Sequence, residues 1–145
     1  MKKLLLGLLL VSACAKEDAA PTYSDFTPIS GQFTISDDGF VRYNKRDTTA
    51  VLSDLKLRIT QRGTQDVYEF QGRLSAHETE NIRFLVDKNR TGTGPWTGLA
   101  TEGTTYVDGK VGAQGGSSNS GTLSASGNTF TASFDHASVK GTLRQ

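Results

Sequence analysis

The sequence predicts an all-β fold: a small antiparallel up-and-down barrel of about eight strands or, as the alternative, a β-sandwich. Three observations point that way. Apolar and polar residues alternate with period two from Gly31 onward. Asp-Gly and Gly-Asn pairs fall between the alternating runs. No stretch after that point sustains a helical period.

The runs follow one another closely. Phe33 and Ile35 flank Thr34, and Asp38-Gly39 then forms a hairpin signal before Phe40–Tyr43. Leu55, Leu57 and Ile59 are interleaved with Lys56, Arg58 and Thr60. Tyr68, Phe70 and Leu74 alternate with Glu69, Gln71 and Arg73, and Ile82, Phe84 and Val86 follow. Asp108-Gly109 joins Tyr106-Val107 to Lys110-Val111, and Gly127-Asn128 joins Leu123–Ala125 to Phe130–Ala132. Such dipeptides supply the positive φ angles of tight hairpins. Val139, Gly141 and Leu143 end the pattern. Each run describes a strand with one dry face and one wet face. Consecutive hairpins without a long crossover favour the up-and-down barrel. The last strand is expected to pair with the first, which removes the exposed edges.

The N-terminus carries a different message. Lys2 and Lys3 precede the apolar run Leu4–Leu10, and Val11-Ser12-Ala13 lead into Cys14, the only cysteine. The apolar run is too short to span a bilayer as a helix and fits a secretory signal core. Val11–Cys14 resembles the lipobox of bacterial lipoproteins. That resemblance implies cleavage before Cys14 and acylation there, with palmitate-type chains as the anchor. Two or more acyl chains hold a protein stably on a membrane. Cys14-Ala15-Lys16-Glu17-Asp18 resembles the surface-export signal of Bacteroidota-type lipoproteins. The implied address is the outer membrane, facing the cell surface. The expected organisation is residues 1–13 as signal peptide, 14–29 as lipidated cysteine and flexible tether, and 30–145 as one barrel domain. A tether of that length spans roughly 20 Å.

Composition narrows the role. Cleavage removes Lys2 and Lys3 and leaves 14 basic against 15 acidic residues, so the mature chain has no basic excess of the kind nucleic-acid binding needs. With its cysteine lipidated, the domain has no disulfide and relies on its core. His77 and His136 lack the spacing of a zinc site. Asp87-Lys88-Asn89-Arg90-Thr91-Gly92 starts like a calcium loop but has Gly98 where the closing glutamate belongs. Asp47-Thr48-Thr49 resembles an O-glycosylation acceptor. No nucleophile elbow and no phosphate-cradling loop is present. The expectation is a non-enzyme with no cofactor beyond the acyl chains on Cys14 and no metal.

Two segments stand out as binding loops. One runs from Asn89 and Arg90 through Gly92-Thr93-Gly94-Pro95 to Trp96, the only tryptophan. The other, Gln114–Gly121, is polar and glycine-rich and contains Ser117 and Asn119. Loops on a β scaffold are frequent recognition sites. Further along, Thr105–Val111, Gly121–Ala125 and Phe134–Leu143 resemble the β-barrel of transferrin-binding-protein-B-like and factor-H-binding surface lipoproteins. That resemblance implies a barrel that binds through variable loops, and it carries over no functional residue. The expected function is non-catalytic binding of a protein or glycan. A lipocalin-like carrier of a small apolar ligand and an inhibitor of a hydrolase such as lysozyme stay open as alternatives.

Overall fold

The computed structural model describes residues 25–35, 50–134 and 137–143. Eight strands follow in order: β1 (Thr27–Ile35), β2 (Ala50–Arg62), β3 (Gln65–Arg73), β4 (Glu78–Asp87), β5 (Trp96–Val107), β6 (Lys110–Ser126), β7 (Thr129–Phe134) and β8 (Ala137–Leu143). Each pairs antiparallel with its sequence neighbours, and β8 returns to β1 to close the barrel. The fold is the up-and-down barrel and not the sandwich. β1 begins at Thr27, so residues 27–29 of the expected tether belong to the barrel. The signal segment, Cys14, the Asp38-Gly39 hairpin, Asp47 and His136 lie outside the described residues.

The hairpins are set by local chemistry. Asp108 and Gly109 both take positive φ, 49° and 75°, and connect Val107 to its ladder partner Lys110. That conformation matches the twist of paired strands. Gly127 at φ 57° does the same work between β6 and β7. On β2 the alternation slips once. Asp54 sits at φ 50°, and the register to β3 shifts between Ser53 and Lys56. The surplus residue turns Leu52 inward beside Leu55 and Leu57, so all three are buried.

Period two then divides the wall into two faces. Inward positions form one cluster that includes Phe33, Leu57, Phe70, Phe84, Leu123, Phe130 and Phe134. Phe70 meets Phe84 edge-on at 5.9 Å between ring centroids and tilts against Phe130 at 5.2 Å. Such aromatic pairs add to the burial term, which dominates the stability of a barrel without disulfides. Outward positions include Arg58, Arg83, Glu102 and Lys140. A barrel that crosses a membrane carries an apolar band on its outer wall. Here that wall carries charge, and the apolar residues fill the interior.

The strand order also sorts the connections by end. The chain enters β1 at the end that holds the β2–β3 turn, the β4–β5 connection and the β6–β7 turn. The opposite end holds the Leu74–His77 turn and the Asp108-Gly109 turn.

Candidate functional site

The β4–β5 connection, chosen from the sequence as a binding loop, is folded onto the barrel. The Arg90 backbone N–H donates to the Asp87 carbonyl and its guanidinium to the Thr97 carbonyl, both at 2.9 Å. The Thr93 carbonyl accepts from the Ala125 N–H at 2.8 Å and from the Ser124 hydroxyl at 3.2 Å, which pins the connection to β6. Trp96 opens β5 and packs against the core cluster, with Tyr68 at 6.2 Å between ring centroids. Its indole N–H points at the Thr91 carbonyl, 3.4 Å away. Trp96 is a plug at the barrel end, and the Arg90 side chain already has a partner. Asn89 remains exposed.

The Gly/Ser segment Gln114–Gly121 is not a loop. It is the middle of β6, paired with β5 from Gln114↔Thr104 to Gly121↔Leu99. Close backbone approach explains its glycines. A Cβ on Gly121 would meet Thr101 Cγ2 at 2.5 Å, and one on Gly116 would meet the Thr101 carbonyl oxygen at 2.8 Å. The composition that reads as a flexible linker here lets two strands approach each other. Between Ser117 and Gly121 the ladder shifts, and β6 takes four steps against two on β5. Asn119 belongs to that bulge. The side chains of residues 117–119 lie outside the described set.

Several titratable groups serve structural contacts. His77 Nδ1 lies 2.6 Å from Asp108 Oδ1, and the Asp108 N–H donates to the His77 carbonyl at 2.7 Å. Together they tie the two turns at the end opposite chain entry, with both side chains exposed. On the outer wall, Glu69 is buried although it is charged and points outward. Arg58 and Asn81 donate to it, and Arg83 does so at 3.0 Å. Arg83 also faces Glu102, which Arg62 holds in a two-pronged pair at 2.5 and 3.0 Å. Arg58 in turn covers the Phe26 ring at 4.4 Å. Burial pushes the Glu69 carboxyl up, but hydrogen bonds from Arg58, Asn81 and Arg83 outweigh it and hold it below the usual range.

Glu80 has the opposite surroundings. It shares the inward face of β4 with Ile82 and Phe84 and is only 2% exposed. The Thr105 hydroxyl donates to one oxygen at 3.0 Å, and the other oxygen has no partner among the described residues. Burial pushes its pKa up to about 7, and nearby Glu78 adds to the rise. The sequence contained the signal for this residue: Glu80 is in phase with Ile82, Phe84 and Val86, so period two already places it on the dry face.

One concavity lies on the outer wall, where β6, β7, β8 and β1 meet. It is an open groove of about 480 Å³. Ser124 and Ser126 from β6, Thr129 and Thr131 from β7 and Thr142 from β8 line it. Its floor is backbone at Gly31 and Gly141, which pair across β1 and β8. A Cβ on Gly31 would sit 2.1 Å from the Lys140 carbonyl oxygen, and one on Gly141 would sit 2.3 Å from the Ser30 carbonyl oxygen. Gly31 also holds a φ of 139°, which side chains rarely adopt. Sequence reading missed the groove, because its residues come from four strands and each looks like an ordinary wet-face position. Compared with known proteins, the chain matches no family model, no curated protein and no solved structure.

Proposed function

We propose that this chain is an outer-membrane lipoprotein, anchored through Cys14 and facing the cell surface, whose barrel binds a protein or glycan partner without catalysis. One observation carries the binding reading: the barrel is filled, and its concave surface is on the outside. Phe33, Leu57, Phe70, Phe84 and Phe134 are all buried in one cluster. They occupy the volume that a carried ligand would need, so the lipocalin-like alternative finds no support. The groove on the β6–β7–β8–β1 wall is open to solvent instead.

The anchor reading rests on the lipobox resemblance at Val11–Cys14 and on the surface-export resemblance behind it. Chain entry at Thr27 then sets the proximal end of the barrel. The β4–β5 connection with Asn89 and Arg90 shares that end, which moves the weight of recognition from that loop to the side wall. Radiolabelled palmitate should mark the wild-type chain and leave Cys14→Ala unlabelled. Equal membrane partitioning of the two would refute the anchor. For binding, the immobilised chain is presented with purified surface proteins and a panel of cell-envelope glycans. A saturable partner from either set supports the reading, and saturation by none of them overturns it.

A further inference from the structure

The groove resting on that binding reading has a chemistry narrower than "protein or glycan". We infer that it takes an acidic saccharide, with Lys140 reading the carboxylate and the surrounding hydroxyls reading the sugar. Lys140 is the only ionisable residue among the described residues that line it. Among the described residues no carboxylate competes for the ammonium, and the Lys140 side chain has no ion pair or hydrogen bond, unlike Arg58, Arg62, Arg73 and Arg83 with their acidic partners. The net electrostatic demand of the site is for one negative charge.

The neutral part of the lining fits a polyhydroxylated body. Ser30 donates its hydroxyl proton to the Thr142 carbonyl at 3.3 Å, Ser124 to Thr93 and Thr129 to the Ser126 carbonyl at 2.9 Å. These hydroxyls have committed their protons and keep lone pairs to accept from a ligand. Among the described residues the Gln32 amide and the Thr131 hydroxyl have no partner, and they offer both donors and acceptors. Sugars present this mixture of O–H donors and oxygen acceptors. The volume of about 480 Å³ falls within the range of small-molecule sites. Phe130 faces inward and its ring is buried in the core, so recognition here runs through polar contacts and not through stacking.

The position admits two sources for such a group. The groove lies on the half of the wall nearest chain entry, with Ser30 close behind Thr27. An acidic glycolipid headgroup or a soluble acidic polysaccharide would present the same chemistry.

The test uses the full chain in detergent and three probes: a uronic-acid oligosaccharide, its carboxyl-reduced neutral counterpart, and vesicles carrying either an acidic glycolipid or phosphatidylglycerol. Calorimetry should show the uronic-acid probe binding at least tenfold more tightly than the neutral one. Lys140→Gln should erase that difference, and Lys110→Gln, at the opposite end of the barrel, should not. Both variants should unfold at the wild-type temperature. Tighter binding of the acidic than of the neutral soluble probe, or of glycolipid vesicles than of phosphatidylglycerol vesicles, supports the inference and names the source. Equal binding of acidic and neutral probes together with equal binding to both kinds of vesicle would overturn it, as would an unaltered Lys140→Gln. If no saccharide binds while a purified surface protein still saturates the chain, the saccharide inference fails and the broader binding reading survives. If neither binds, both fail.

Discussion

Two glutamates buried in the same hairpin have opposite fates. Glu69 on β3 and Glu80 on β4 are each about 2% exposed or less. Glu69 faces out into three donors and is held ionised. Glu80 faces in, receives one hydroxyl and is pushed up to about 7. Burial opposes charge in both cases. The number and charge of the donors decides which form survives. The lesson for this barrel is that its outer wall is an organised electrostatic surface, whereas the inward face of β4 gives Glu80 a single donor and favours its neutral form.

The largest expected effect comes from breaking the outer side. Glu69→Ala leaves Arg58 and Arg83 facing each other across an empty position and should cost about 3 kcal/mol or more in urea unfolding at pH 7. A loss under 1 kcal/mol would mean that the wall is an ordinary solvated surface. Next is the inner side. Glu80→Gln should stabilise the protein at pH 8 by about 2–3 kcal/mol and change little at pH 4. The sign follows from the raised pKa. Below the ordinary value of 4.5 the group is protonated folded and unfolded, so it costs nothing. From there to about 7 the folded state holds the proton longer and stability falls as pH rises, and above about 7 the penalty is constant. Glu69 has the reverse dependence: its contribution is present above 4.5 and is lost as pH falls through its lowered folded value. Unfolding midpoints between pH 3 and pH 9 for the two variants should diverge in opposite directions.

Thr105→Val tests the single donor of Glu80. It should cost about 1 kcal/mol and push the Glu80 titration higher, read as a loss that still begins near 4.5 but continues to a higher pH before it levels off. The smallest effect is at the rim of the outer ladder. Arg62 and Glu102 are half exposed, so Arg62→Gln should cost less than about 1 kcal/mol, most of it gone in 1 M salt. A larger, salt-resistant loss would show that the ladder acts as one unit out to its edge.

The alternation made the barrel legible, because every buried strand face repeats the same two-residue signal, and the Asp108-Gly109 and Gly127-Asn128 turns fixed two of its corners. The phase of Glu80 was legible for the same reason. Glu69 was not: its burial depends on Arg58, Asn81 and Arg83 arriving beside it from neighbouring strands, and register between strands is not written in any one run. The bulge at Asp54 broke the phase of β2 and hid Leu52. Gln114–Gly121 was misread because glycine serves flexibility and close approach alike, and only the partner strand reveals which. Trp96 drew attention as a loop aromatic, yet its neighbours Tyr68 and the core lie far away in sequence. The groove needed four strands in place before it existed at all.

The seam between β1 and β8 has a bearing on how the molecule is made. Ile29 is paired with Leu143 and Ile35 with Ala137, so more than a hundred residues separate the partners. Contacts of that span are slow to form, since a long loop must close before they repay its entropy. A ribosome that has reached β7 has released a chain with two bare strand edges, one at each end. Only β8 can cover both. Birth order and protection are thus inverted: the first strand made is the last to be secured, and a chain shortened by its last strand would stay open along its whole length.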